Sequence, residues 1–353
     1  MDIRDNHLDE KNAPDLARRR LLAAVGAGIA AVPLMGMSAS SIAQNLTNAG
    51  KAVTASLNGG KTSASQAGEF LIGGDLRVNR LGYGGLQLTG PNKWGEPERR
   101  EEAIQVLRRL PQLGVDFIDT ADAYGPFVSE EIISEALVPY QGFTHGKAVI
   151  ATKGGFVRPD PFTDPWVELG NPDYLQQCVR MSLRRLKLER IDLWHLHRVD
   201  PKLPQTQQYE AIRSFIDKGL IRHAGLSEVT VEQIKAARKI FPVATVQNHY
   251  NLSFRKHETV LNYCEDNGIA FIPWFPLANG DLTKPGGTGD TLAKARGVTP
   301  AQIAIAWLLK RSPVMLPIPG TSRLSHLEEN VASASIKLTD REFEQLDRLT
   351  RPS

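Results

Sequence analysis

The sequence predicts a single (β/α)8 barrel, and three observations predict it. Eight short runs rich in Val, Ile, Phe and Trp recur from Glu69 onward. Between them lie longer segments whose apolar residues fall at i, i+3, i+4 and i+7, the period of a helix with one buried face. The polar residues of chemical interest stand at the ends of the apolar runs, which a parallel barrel gathers on one face. A doubly wound sheet is the rival architecture, and it calls for fewer units and a glycine-rich first turn.

Residues 1–43 are expected to be an export signal rather than part of the barrel. Arg18, Arg19 and Arg20 precede an uncharged run from Leu21 to Met37, and Ser41 and Ala43 stand as an S-x-A cleavage site before Gln44. This resembles a twin-arginine signal, with Arg18 and Arg19 as the pair. The run is rich in Ala and Gly and interrupted by Pro33, so a retained anchor is the lesser alternative. Residues 44–68, polar and rich in Gly, Ser and Asn, suit a flexible linker.

The barrel is expected over residues 69–353. "FLIGGDLRVNR" (70–80) opens it with a hairpin across the lower end. The eight strands are expected in "VNRLGYGGLQL" (78–88), "VDFIDT" (115–120), "AVIATK" (148–153), "IDLWHLH" (191–197), "IRHAGLS" (221–227), "VATVQN" (243–248), "IAFIPW" (269–274) and "VMLPIP" (314–319). Ala103, Leu107 and Leu110 mark one helix face, as do Val179, Leu183 and Leu186. Gly114 and Gly219 serve as helix stops. Two long irregular stretches, 154–173 and 275–290, follow strands and so belong on the catalytic face.

Composition excludes several function classes. A net charge of +3 is too weak to argue for nucleic acid or an anionic membrane surface. Cys178 and Cys264 are the only cysteines, so there is neither a disulfide framework nor a zinc-type spacing, and no metal is inferred. Both sit in helix-like apolar stretches, as small buried hydrophobes do. Gly26–Ala31 spells G-x-G-x-x-A but follows arginines instead of a strand. Gly60-Lys61-Thr62 resembles the end of a P-loop, yet Ala55 stands where its first glycine belongs.

The strand ends carry the chemistry. Asp119 closes the second strand with Tyr124 just beyond, Lys153 the third, and His197 the fourth. Ser227 and Glu228, then Gln247 and Asn248, then Trp274 close the next three. Each has a structural excuse taken alone: an Asp caps, a Lys snorkels, a His satisfies a carbonyl. Asp, Tyr, Lys and His converging on one face are harder to excuse. A phenol with pKa near ~10 is a poor acid at neutral pH, and a neighbouring ammonium lowers that value. Lys153 is placed to do this, with Asp119 holding the lysine and His197 orienting a carbonyl oxygen against Tyr124. No side chain supplies hydride, so a nicotinamide cofactor is implied.

"IDTADAYG", "IATK", "IDLWHLH", "GLS" and "IPGTSRLSHLEEN" resemble the aldo-keto reductases, (β/α)8 NAD(P)H-dependent carbonyl reductases, from about Gly73 to Leu349. The resemblance implies a catalytic tetrad of Asp119, Tyr124, Lys153 and His197. It implies that Ser227 and Gln247 hold the nicotinamide carboxamide and that Trp274 stacks on its ring, with Phe275 and Leu277 beside the cofactor. Glu329 and Asn330 match the adenine-contacting pair, and Gly320, Thr321, Ser322 and Arg323 the segment that meets the adenosine phosphate. Two departures stand out. Glu228 replaces the usual asparagine after Ser227, and Gly320 and His326 align with a usual Lys and Arg. Arg323 supplies a guanidinium nearby, which favours NADPH, with NADH the alternative.

"LGYGGLQLTGPNKWG" and "PWFPLANG" look closest to a bacterial branch that includes pyridoxal reductases. Trp94, Phe127, Phe156 and Trp166 are the expected pocket walls for an aromatic or heteroaromatic aldehyde. Two rival readings exist: a barrel that binds cofactor and regulates a protein partner, and a Schiff-base lyase with Lys153 as nucleophile. The partners expected are a small carbonyl substrate and, through residues 1–43, the export machinery, with neither nucleic acid nor stable membrane attachment. The location expected is the periplasm, or the cytoplasm if the signal is not used.

Overall fold

The computed structural model describes residues 63–160, 166–283, 286 and 289–350. The expected signal, 1–43, and the expected linker up to residue 62 lie outside the described residues. Residues 63–68, the end of that expected linker, are folded: a 3-10 turn over Ala64–Ala67, capped by the Ser63 hydroxyl, buries both alanines among helix side chains.

Strands β1 (Glu69–Ile72) and β2 (Leu76–Asn79) pair antiparallel as the expected hairpin. Ile72, Leu76 and Val78 pack on Phe117, Val149, Leu193, Ala270 and Leu316, which fill the barrel interior, so the hairpin closes one end of it. The barrel strands follow as β3 (Tyr83–Gly84), β4 (Phe117–Asp119), β7 (Val149–Gly154), β10 (Ile191–Leu196), β11 (Ile221–Ser227), β12 (Val243–His249) and β13 (Ala270–Trp274). They form one parallel sheet, ordered β13-β12-β11-β10-β7-β4-β3. Two hairpins are appended, β5 (Gln141–Phe143) with β6 (Gly146–Lys147), and β8 (Phe156–Val157) with β9 (Val167–Glu168).

The strand expected at "VMLPIP" is corrected to an irregular seam. Phe271 N donates to Val314 O and Leu316 N to Phe271 O, both at 2.8 Å, and Gly82 N donates to Pro317 O at 3.0 Å. Residues 314–317 therefore bridge β13 and the β3 edge and close the ring. Pro317 and Pro319 lack the N–H that a two-sided ladder requires, which is why no regular strand forms. The first expected strand is shorter too, because the chain enters a 3-10 turn at Gly85–Leu88 directly after β3. Arg80 fastens the seam by donating to the carbonyls of Met315, Ser312, Leu309 and Ala67. Two of these lie at the C-terminal end of the helix Pro300–Arg311, where unsatisfied carbonyls favour a cation.

Amphipathic helices wrap the sheet, and their starts are written locally. The helices Val231–Arg238 and Pro300–Arg311 each begin with a capping box, Thr230 with Gln233 and Thr299 with Gln302. Their apolar faces join two clusters outside the barrel, one around Trp194, Tyr209, Phe241 and Trp307, the other around Leu107, Ile118 and Ile133. Cys178 and Cys264 are buried as expected.

Candidate active site

Four strand ends converge as the sequence indicates. Lys153, next to last in β7, is fully buried and donates to Asp119 Oδ2 at 2.6 Å and to Thr120 O at 2.8 Å. Its ammonium lies 3.4 Å from the Tyr124 hydroxyl. Gln247 donates to the other Asp119 oxygen at 2.9 Å, so this carboxylate is held from both sides. His197 stands just past β10, positioned by its backbone N–H to Gly154 O, with its ring edge-on to Tyr124 at 5.9 Å between centroids.

Charge states follow from burial and pairing. Burial opposes the Lys153 ammonium, but Asp119 and Tyr124 outweigh it and hold its pKa above the usual lysine value. A lysine so paired is no Schiff-base nucleophile, which disposes of the lyase reading. Burial pushes the Tyr124 phenol up and Lys153 pulls it down, with burial the larger. The expected lowering of the phenol is therefore overturned: its pKa stands above the ordinary tyrosine value, and Tyr124 is a proton-loaded acid at neutral pH. Burial, then Arg198, keeps the His197 pKa well below 6.5, so the ring is neutral. Its Nδ1 is buried without a hydrogen-bond partner.

These side chains open into a cleft of about 810 Å3. Phe156 and Trp166, stacked at 5.1 Å, form one wall, with Phe156 edge-on to His197. Ser227, Gln247, Trp274, Phe275 and Leu277 line the middle, and Gly320, Thr321, Ser322, Arg323, Glu329 and Asn330 the far end. A Cβ on Gly320 would stand 2.5 Å from Gly84 O, and one on Gly84 2.6 Å from Ile318 O, so only glycines let these segments meet. Arg323 is the N-cap of the helix Leu324–Ala332, with no side-chain cap and no acid in the first turn. Uncapped N–H groups beside an arginine suit a phosphate. The described residues thus fit a nicotinamide dinucleotide from Trp274 to Asn330.

Several expected placements are corrected. Trp94 and Phe127 do not line the cleft. Phe127 is 47% exposed beneath the Arg185 guanidinium, and Trp94 bridges to Gly125 in a neighbouring loop. Asp122, in the turn that leads to Tyr124, is buried against Cys178 and Glu130, with its pKa raised to about 7 by burial and then by Glu130. Glu228 turns to other partners: it accepts from His249 N at 2.5 Å and from the Trp274 indole at 2.6 Å. Burial opposes its charge, yet those donors and His257 hold it down at about 2. Trp274 is fixed further by stacking on His249, itself stacked on Phe254. The residue that sequence reading missed is Arg198, directly after His197, which donates to Ser227 Oγ at 2.9 Å. Its signal was a charged residue one step past a strand end.

An acid beside a long glycine-floored cleft that fits a nicotinamide dinucleotide matches the class of nucleotide-dependent carbonyl oxidoreductases. The aldo/keto reductase family model matches residues 80–351, and the chain belongs to that family. An uncharacterized oxidoreductase of Schizosaccharomyces pombe is 54% identical over 284 residues, covering 80% of this chain and 90% of that protein. Pyridoxine 4-dehydrogenase of Escherichia coli is 40% identical over 284 residues, covering 79% and 97%. An aldo-keto reductase of Klebsiella pneumoniae, solved in complex with NADPH, matches with a TM-score of 0.67 at 26% identity, covering 81% and 95%. The chain is an NAD(P)H-dependent oxidoreductase acting on carbonyl compounds.

Proposed function

We propose that this enzyme reduces aromatic or heteroaromatic aldehydes to alcohols with NADPH, Tyr124 delivering the proton. The 3.4 Å approach of Lys153 Nζ to the Tyr124 hydroxyl, inside a buried Asp119–Lys153 pair, carries the reading. When bound, NADPH supplies the hydride. The residues supply everything else. His197, neutral, holds the carbonyl oxygen against Tyr124, and the Phe156–Trp166 wall packs the substrate ring. As negative charge grows on that oxygen the phenol gives up its proton, and the nearby ammonium stabilises the phenolate left behind. One hydride and one proton added across C=O yield the alcohol. In the reverse direction the same phenolate takes the hydroxyl proton.

NADPH is favoured over NADH by Arg323 at the uncapped helix start. Ser227 and Gln247 reach the carboxamide by giving up their present partners, Arg198 and Asp119. We also read residues 1–43 as a twin-arginine signal that sends the folded, cofactor-loaded enzyme to the periplasm, where a second substrate has to regenerate the cofactor. Among the described residues, no helix is long and apolar enough to cross a membrane. Fractionation of cells expressing the full chain, against Arg18→Lys with Arg19→Lys, tests the location: a cytoplasmic wild type would overturn it. The chemistry is tested by NADPH oxidation with pyridoxal and nitrobenzaldehydes, beside Tyr124→Phe. Turnover lost in the variant is the expected result. Cofactor binding without turnover on any carbonyl would instead point to a regulatory barrel.

A further inference from the structure

We propose that Arg198 is a specificity-determining residue that selects carbonyl substrates bearing a carboxylate or another compact anion. The inference rests on the reading of Tyr124 and His197 as the pair that holds the carbonyl oxygen. Arg198 Nη1 donates to His197 O at 2.6 Å and to Ser227 Oγ at 2.9 Å. Its remaining donors, on Nε and Nη2, meet no acceptor among the described residues. Other half-buried guanidinium groups bond through at least two of their nitrogens: Arg185 to Glu130 and Ser182, Arg255 to Glu258 and Asp347, and Arg80 to backbone carbonyls. Among the described residues Arg198 pairs with no carboxylate, although burial works against its charge. Two acids lend it their field without bonding to it: Glu228, committed to His249 and Trp274, and Glu168 of β9.

Its position explains what it waits for. The guanidinium carbon lies 4.8 Å from the Phe156 ring centroid and 5.9 Å from that of Trp274. It therefore sits at the edge of the aromatic wall that begins at His197, inside the same cleft as Tyr124. An aromatic aldehyde with its oxygen at Tyr124 and His197 lies along that wall, and an anionic substituent on it meets the free edge of the guanidinium. A planar fork of donors matches a carboxylate in two parallel hydrogen bonds. Neutral substituents gain nothing from it and leave its donors unpaired.

The test uses 4-carboxybenzaldehyde and its methyl ester as a matched pair. Calorimetric binding to the NADP+-loaded enzyme reads the proposal, because no reduction occurs in that complex. NADPH oxidation with the same two aldehydes reads the carbonyl-reductase assignment separately. The acid is expected to bind about tenfold to a hundredfold more tightly than the ester, the span of one charge-assisted contact. Arg198→Met should bring that ratio close to one, and Arg198→Lys should keep part of it. Circular dichroism shows that each variant is folded, and NADP+ affinity is measured alongside. Equal affinity for acid and ester in the wild type overturns the proposal, as does a preference that survives in Arg198→Met. A variant that loses cofactor affinity while keeping the preference makes Arg198 a cofactor grip, which overturns it too.

Discussion

At the scale of single residues, the proposed mechanism rests on a phenol that burial keeps protonated. Tyr124→Phe removes the donor and is expected to lower kcat by about 10²- to 10⁴-fold with little change in cofactor affinity, readable by steady-state kinetics and fluorescence titration. Lys153→Met should cost a similar factor, because the phenolate loses its ammonium. Since burial raises the phenol, reduction should hold its rate from neutral into alkaline pH. Asp122 makes a separate prediction. Its carboxyl rises from an ordinary 3.8 to about 7 in the fold, from burial first and Glu130 second, with Cys178 and Arg185 opposing. Between those values the native state keeps a proton that the unfolded chain has lost, so stability falls as pH rises through the window and is flat above it. Asp122→Asn should flatten that slope, by up to about 4 kcal/mol across the window, in denaturant melts. The convergence of Asp119, Lys153 and His197 was legible because each closes an apolar run, with Tyr124 a turn beyond, whereas the placement of Trp94 and Phe127 was not. Composition says that an aromatic is present in a loop, and only the backbone path decides where its ring points.

At the scale of elements, most of the strands and helices could be read from their periods, and the exception is instructive. "VMLPIP" has the apolar content of a strand, but its prolines remove donors from both ladders, and that signal was already in the letters. The arginine that compensates was not legible, since its four acceptors include three carbonyls more than two hundred residues away in sequence. Arg80→Ala leaves the carbonyls of the seam and of the adjoining helix end without their donor. A loss of about 3 kcal/mol is expected in urea unfolding, with Arg80→Lys recovering only part because an ammonium lacks the planar fork.

At the scale of the whole molecule, the barrel was expected because helix and strand signals alternate through the chain, and the family match over residues 80–351 agrees with it. A cofactor that binds only the folded barrel adds stability by mass action, about 2.7 kcal/mol at a hundredfold excess over Kd. NADPH should therefore raise the melting temperature more than NADH at equal concentration, and Arg323→Ala should narrow the difference. The two glycines that floor the cleft belong to opposite sides of the ring's seam, Gly84 in β3 and Gly320 directly after Pro319. The nucleotide groove thus does not exist in any partly wound barrel, however well its tetrad is formed. Coenzyme capture is in effect a proofreading signal, given only by a chain whose first and last barrel segments have already found each other.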